Sequence, residues 1–337
     1  MRQATFIEPR RVEWWDVDAP TIEGPGEALV RPLAVSTCDL DTAILAGAAP
    51  LPGPFPLGHE CVAEVIETGD SDLRAGQLVS VPFQICCGGC DSCRRGRTGD
   101  CERVPRLSMY GLGQMGGEWG GFLSDAVRVP FADAMLVALP DGVDPAAAAS
   151  VSDNVSDGWR TVAGPLEREP GAPVLVVSDT QSLGLYAAAT AVALGAERVD
   201  YLDADAGRLE RAAAVGANPV GREGEYPHKL GPFPITVAAS ADSAALHCAL
   251  RSTAPGGFCT SAGIFFEPET PLPMLEMYTN GVTLHTGRVH ARAAMPAVLD
   301  LIASGGLRPE LVTGRTVAWD DAAAALVERP EKLVIAR

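Results

Sequence analysis

Positive charge is scarce in this chain. Against 43 acidic residues stand 26 Lys and Arg, a net charge of −17 over 337 residues. Such a surface repels phosphate backbones and anionic lipid, so neither nucleic acid nor a membrane is an expected partner. A long apolar run is missing too. The richest stretch, Leu185–Leu194, is alanine-rich and falls well short of the ~20 residues of a bilayer-spanning helix. The N-terminal MRQATFIEPRRVEWW lacks the apolar core of about 7–15 residues that marks a secretory leader. A cytoplasmic protein is therefore expected, where thiols stay reduced and clustered cysteines hold metal more often than they pair. Internal repeats and low-complexity tracts are also absent. What is present, 47% hydrophobic and 20% charged residues, suits globular folding. The length suffices for two ordinary domains or one large one.

The texture changes along the chain. Roughly the first 145 residues carry short β-like runs between turn signals: Ala28–Pro32, Cys61–Glu67, Leu78–Pro82 and Phe122–Val129. That pattern predicts an irregular β domain. DPAAAASVSDNVSDGWRTV, from Asp144, predicts a helix with Asp144 as N-cap and Pro145 at its first position. From Pro173 strand and helix patterns alternate: VLVV at 174–177, Ser182–Leu194, VDYL at 199–202, a helix through Ala214, ITVAAS at 235–240, a helix from Asp242, and GGFCTSAGI at 256–264. Alternation of this kind implies a parallel sheet with right-handed crossovers. A helix at Ala294–Ala303 and a last strand, KLVIA, follow.

Five of the nine cysteines fall within CCGGCDSCRRGRTGDC, residues 86–101. Cys87, Cys90, Cys93 and Cys101 form C-x2-C-x2-C-x7-C. Two-residue gaps let a tight turn place successive sulfurs about one tetrahedral zinc, and four thiolates close the coordination shell. Gly88 and Gly89 permit the turn. A structural zinc lobe is the reading, with Cys86 spare and packed as a small hydrophobe. The chemistry then lies elsewhere.

Upstream lies PLGHECVAEVIETGD, residues 56–70. Cys38, the Gly58-His59-Glu60 triplet, the four-cysteine lobe, the GGFLSDAVRV stretch at 120–129 and the alternating half occur in that order. Together they resemble the zinc-containing medium-chain alcohol dehydrogenases across essentially the whole chain. The resemblance implies an α/β architecture: a GroES-like irregular β domain at 1–147, completed by 289–337, and a Rossmann doubly wound parallel sheet at 148–288. It implies a catalytic zinc held by Cys38, His59 and Asp153, the last standing four residues before Asp157-Gly158-Trp159. Carboxylate oxygen is an acceptable zinc ligand. Glu60 matches a residue close behind the metal that can replace a water ligand, and Asp41 one that orients the histidine. A zinc with three protein ligands and an open position is a Lewis acid for a substrate oxygen. Relatives are dimers or tetramers, so a homodimer or homotetramer is expected.

In the nucleotide half the resemblance frays. Relatives have a glycine-rich turn after the first strand, which brings backbone N–H groups against a pyrophosphate. Here VLVVSDTQSLG keeps only Gly184, with Asp179 and Gln181 at the other glycine positions. The frame around it implies cofactor contacts at Asp179, Thr180, Ser182, Leu183, Gly184, Asp203 and Arg208. Asp203, 19 residues past Gly184, matches the acidic residue on the adenosine ribose and favours NAD(H) over NADP(H). Asp39 and Asp179 add negative charge near a dianion. Leu40 stands where relatives commonly carry a proton-relaying hydroxyl. The main reading is a zinc-dependent NAD(H) oxidoreductase for a small or medium alcohol or carbonyl compound. A non-redox member of the same fold that keeps zinc, lyase-like or ligand-binding, and a purely structural zinc protein are the alternatives. Phe55, Tyr110 and Trp119 are candidates for either a pocket lining or the core.

Overall fold

A computed structural model describes residues 1–328 and 331–337. The chain divides into two units, one formed by Met1–Ser156, Val289–Gly305 and Thr313–Arg337, the other by Asp157–Arg288 and Gly306–Val312.

The first unit is built on a sheet ordered Arg315–Ala318, Leu333–Ala336, Ala28–Ser36, Glu60–Thr68, Leu78–Val81, Val137–Ala138, with Val127–Val129 also paired to Ala28–Ser36. Ala28–Ser36 reads ALVRPLAVS and buries seven of its nine residues, as a central strand does. A second, three-stranded antiparallel sheet joins Arg2–Glu8, Arg11–Asp16 and Phe55–Pro56. The stretch expected as one strand over Phe122–Val129 is a strand only at Val127–Val129. Phe122 and Leu123 instead donate single backbone bonds to Gly58 and Leu57, at 2.8 and 3.0 Å. Tyr110 and Phe55 belong to the core: Tyr110 packs on Phe122 at 4.6 Å between ring centroids, and Phe55 on Phe6 at 5.0 Å.

The helix expected from Asp144 opens as the sequence predicts, with Ala146 N donating to Asp144 Oδ1 at 3.1 Å and Pro145 at the first position. It is not continuous. Pro145–Ala148 tightens into a 3-10 turn at Ala149–Ser152, breaks at Asp153 (φ −150°, ψ −87°), and restarts as Asn154–Arg168. Ser and Asp side chains compete for backbone partners, so SVSDN is a weak place for an unbroken helix.

The second unit carries six parallel strands in the order Asn218–Gly221, Val199–Asp203, Val174–Ser178, Phe233–Ala239, Thr253–Ser261, Thr283–Thr286. This is the doubly wound Rossmann order. Helices Leu183–Ala193, Ala206–Ala214 and Ser243–Ser252 make the crossovers. Asp205 and Asp242 cap the latter two, through Arg208 N at 2.8 Å and Ala244 N at 2.7 Å. Among the described residues no helix is long and apolar enough to cross a membrane.

Candidate active site

Strand register gathers the site. Ser36 pairs with Glu60 and with Val334 on its two sides. Just past those pairs the chain carries Cys38, His59 and Lys332, so three residues remote in sequence meet at one sheet end. Gly58 sits at φ +94°, and a Cβ there would lie 2.7 Å from Leu123 N; only glycine lets His59 follow so closely.

Cys38 caps the helix Asp39–Ala46. Its Sγ accepts from Leu40 N at 3.2 Å, and its own N–H donates to Asp41 Oδ2 at 2.9 Å. The other Asp41 oxygen lies 3.5 Å from His59 Nδ1. On the opposite edge of the ring, His59 Nε2 stands 2.9 Å from Cys38 Sγ and 3.5 Å from Asp153 Oδ2. Cys38 Sγ and Asp153 Oδ2 thus both lie on the Nε2 side of His59, while an Asp41 oxygen lies near Nδ1. In a tetrahedral zinc site such ligand pairs are separated by about 3.4–3.8 Å, given metal bonds of about 2.0–2.3 Å. The cluster whose ligand atoms all lie within 4.8 Å of one another is Cys38, Asp41 and His59, and Asp153 stands outside it. Asp41, however, meets the ring nitrogen facing away from Cys38, which suits an orienting partner and not a ligand. Burial pushes the Cys38 thiol up to about 12. A thiolate there needs a compensating cation, and the helix N-terminus alone is a weak one. By chemistry these are donors that zinc accepts, although Cys38 Sγ and His59 Nε2 at 2.9 Å stand closer than a bound zinc would hold them.

Behind these groups lies a buried carboxylate. Glu60 is fully buried, and its Oε2 accepts from Lys332 Nζ and Ser150 Oγ, both at 2.6 Å. Its Oε1 accepts from Asn154 Nδ2 at 2.6 Å and Asn154 N at 3.2 Å. Lys332 also donates to Thr37 O, and Asn154 Nδ2 donates to Asp153 Oδ2 at 3.2 Å. Lys332, Asn154 and Ser150 escaped the sequence reading. One signal was available: Lys332 is one of two lysines in the chain and stands at the head of an apolar strand.

The four lobe cysteines meet as their spacing predicts, with Sγ atoms all within 4.8 Å of one another. A zinc tetrahedron of sulfurs has edges of about 3.8 Å, so this set fits. Cys90 Sγ accepts from Cys93 N and Glu102 N, both at 3.5 Å, and Cys101 Sγ from Cys87 N at 3.4 Å. The donors from Glu102 and Cys93 lower the Cys90 thiol to about 6. Cys86 is buried and stands outside the cluster.

In the second unit the backbone frame of a dinucleotide site is present. Gly184 begins the helix so close to the first strand that a Cβ would lie 2.2 Å from Ser178 Oγ. The side chains at the expected contact positions are largely engaged by the chain itself. Gly184 N donates to Thr180 Oγ1 at 3.0 Å. Asp179 Oδ2 accepts from Ser240 Oγ at 2.9 Å. Asp203 is fully buried. Arg208 grips it through Nε and a terminal nitrogen, both at 2.7 Å, and Tyr201 OH, Ala204 N and Asp205 N also donate to it at 2.7–2.9 Å. Ser182 and Leu183 stand at the head of the helix Leu183–Ala193.

Residues 24–141 match the alcohol dehydrogenase GroES-like domain family. A "probable zinc-binding alcohol dehydrogenase" of Mycobacterium tuberculosis is 29% identical over 314 residues, covering 90% of this chain and 79% of the relative. Among solved structures, the alcohol dehydrogenase TADH from Thermus sp. ATN1 is 30% identical with a TM-score of 0.87, covering 100% of this chain and 99% of that one. Acetophenone reductase from Geotrichum candidum, solved in complex with NAD, shares the fold at 22% identity and a TM-score of 0.81, covering 100% and 97%. With this architecture and this donor set, the chain belongs to the zinc-containing medium-chain alcohol dehydrogenases and is a zinc-dependent alcohol dehydrogenase-like oxidoreductase.

Proposed function

We propose that this protein transfers a hydride between NAD(H) and a small or medium alcohol or carbonyl compound, at a zinc held by Cys38, His59 and Asp153. The reading is carried by the convergence of Cys38 Sγ and Asp153 Oδ2 on His59 Nε2, at 2.9 and 3.5 Å. The zinc, when bound, supplies a Lewis acid for the substrate oxygen. The chain's own groups do the rest. Asp41 fixes the imidazole from the Nδ1 side. Burial raises the Glu60 carboxyl above its ordinary range, Lys332 partly offsets this, and their 2.6 Å contact holds Glu60 in place. Leu40 cannot carry a proton, so the substrate proton leaves through water or through Asp39 or Asp41. A second zinc at Cys87, Cys90, Cys93 and Cys101 is structural.

In this account residues 1–147 with 289–337 form the catalytic domain and 148–288 the nucleotide domain. NAD(H) is proposed over NADP(H) because Asp203 is acidic, although Arg208 offsets its charge and narrows the margin. A homodimer or homotetramer and a cytoplasmic setting complete the proposal, the latter supported by nine cysteines none of which is in a disulfide. The test is a spectrophotometric panel of alcohols with NAD+ and of aldehydes and ketones with NADH, before and after chelation. The proposal expects turnover that chelation abolishes and zinc restores. Turnover that survives complete removal of zinc contradicts it.

A further inference from the structure

The nucleotide unit's strand order reverses between Val174–Ser178 and Phe233–Ala239. Open parallel sheets take ligands just beyond the strand ends at such a reversal. The residues immediately beyond these two ends are Asp179 and Ser240, and they are joined to each other. Ser240 Oγ donates to Asp179 Oδ2 at 2.9 Å, and Asp179 N donates to Ala239 O at 3.4 Å. A carboxylate thus bridges the reversal. Burial pushes the Asp179 carboxyl above the ordinary range, and the groups that face it directly are the hydroxyls of Ser240 and Tyr226 and not cations. Ser240 is neutral, and Tyr226 beside the pair is a phenol lying beneath the Arg222 guanidinium at 3.8 Å. Arg222 itself donates to Gly224 O. Asp203 and Arg208, the next charges, pair with each other at 2.7 Å. At the adjacent helix start, the N–H of Gly184 is already used by Thr180 Oγ1, although free N–H groups at such a start are what an anion would bind.

We infer that Asp179 occupies the anion seat of this nucleotide unit: its carboxylate, moored across the sheet reversal by Ser240, opposes the pyrophosphate of a dinucleotide and sets how weakly the cofactor binds. The inference rests on the proposed NAD(H) reading. It makes Asp179 a determinant of cofactor affinity acting by charge at the position where relatives use glycine. A pyrophosphate enters only by displacing the carboxylate from Ser240 or by accepting a like charge at close range. One unit charge near a phosphate, at the effective dielectric of a protein surface, weakens binding by about 1,000-fold at about 4 Å and still by about 10-fold at about 12 Å.

The experiment titrates folded, zinc-replete protein with NADH by fluorescence and with ADP-ribose by calorimetry. Wild type is compared with Asp179→Asn, Asp179→Glu and Asp179→Gly. Asparagine keeps the shape and an acceptor for Ser240 while removing the charge; glutamate keeps the charge. The expected result is that Asp179→Asn and Asp179→Gly bind both ligands at least about 10-fold more tightly than wild type, while Asp179→Glu does not. Measurable binding with equal affinity in wild type and Asp179→Asn overturns the inference and leaves the nicotinamide reading standing. Absence of binding in all four proteins overturns both.

Discussion

A Lys332→Met substitution removes the one cation that, among the described residues, is bonded to the carboxylate of Glu60, which has no access to water. Glu60 is fully buried and Lys332 is 2% exposed, with 2.6 Å between Nζ and Oε2. Removing one partner of such a pair costs about 3–5 kcal/mol, because the other charge is left uncompensated. Two features place the expected cost near the lower end. Ser150 and Asn154 still donate three hydrogen bonds to Glu60, and methionine preserves most of the lysine stem's packing. For a unit of this size each kcal/mol shifts the midpoint by about 2–4 °C, so a loss of about 3 kcal/mol lowers it by about 6–12 °C. Scanning calorimetry of the zinc-loaded protein measures this directly. Adding Glu60→Gln to Lys332→Met removes the orphaned charge and is expected to restore more than half of the loss. The reasoning is refuted if Lys332→Met melts within about 2 °C of wild type, or if the double variant is no better than the single one.

Two further perturbations separate the structural elements. Cys101→Ser removes one sulfur of the lobe and is expected to reduce zinc by one equivalent per chain while lowering the melting temperature, since a structural zinc contributes folding energy; unchanged metal content speaks against the four-sulfur assignment. Gly184→Ala places a Cβ 2.2 Å from Ser178 Oγ, an overpacking cost of about 1–3 kcal/mol, and a melting temperature equal to wild type would show that strand and helix are not held that closely.

What could be read from the sequence was local. The C-x2-C-x2-C spacing needs only one turn to bring its sulfurs together, and the lobe folded as the spacing implies. The parallel sheet was legible because each strand and crossover carries its own period, and the Asp144 cap and the helix start at Asp242 follow from short side chains at helix starts. What escaped depends on pairs distant in the chain. Lys332 and Glu60 are 272 residues apart, and only the common register with Ser36 brings them together. The break at Asp153 is equally hidden, because SVSDNV satisfies a helical pattern nearly as well as the 3-10 turn and kink that aim the carboxylate at His59. Asp203 was legible as an acidic residue at a strand end. Its enclosure by Arg208, one turn into the next helix, depends on how that turn is wound. Phe122 and Leu123 have strand-like residue types, yet their backbone bonds are shared out among Gly58, Leu57 and Ala4, so no continuous ladder forms there.

The central claim is that Asp153, together with Cys38 and His59, holds a second zinc. Its most direct test is metal analysis of purified, folded wild type and Asp153→Ala. The account predicts two zincs per chain in wild type and one in the variant, with the four-cysteine lobe still loaded. Two zincs in the folded Asp153→Ala protein would contradict it.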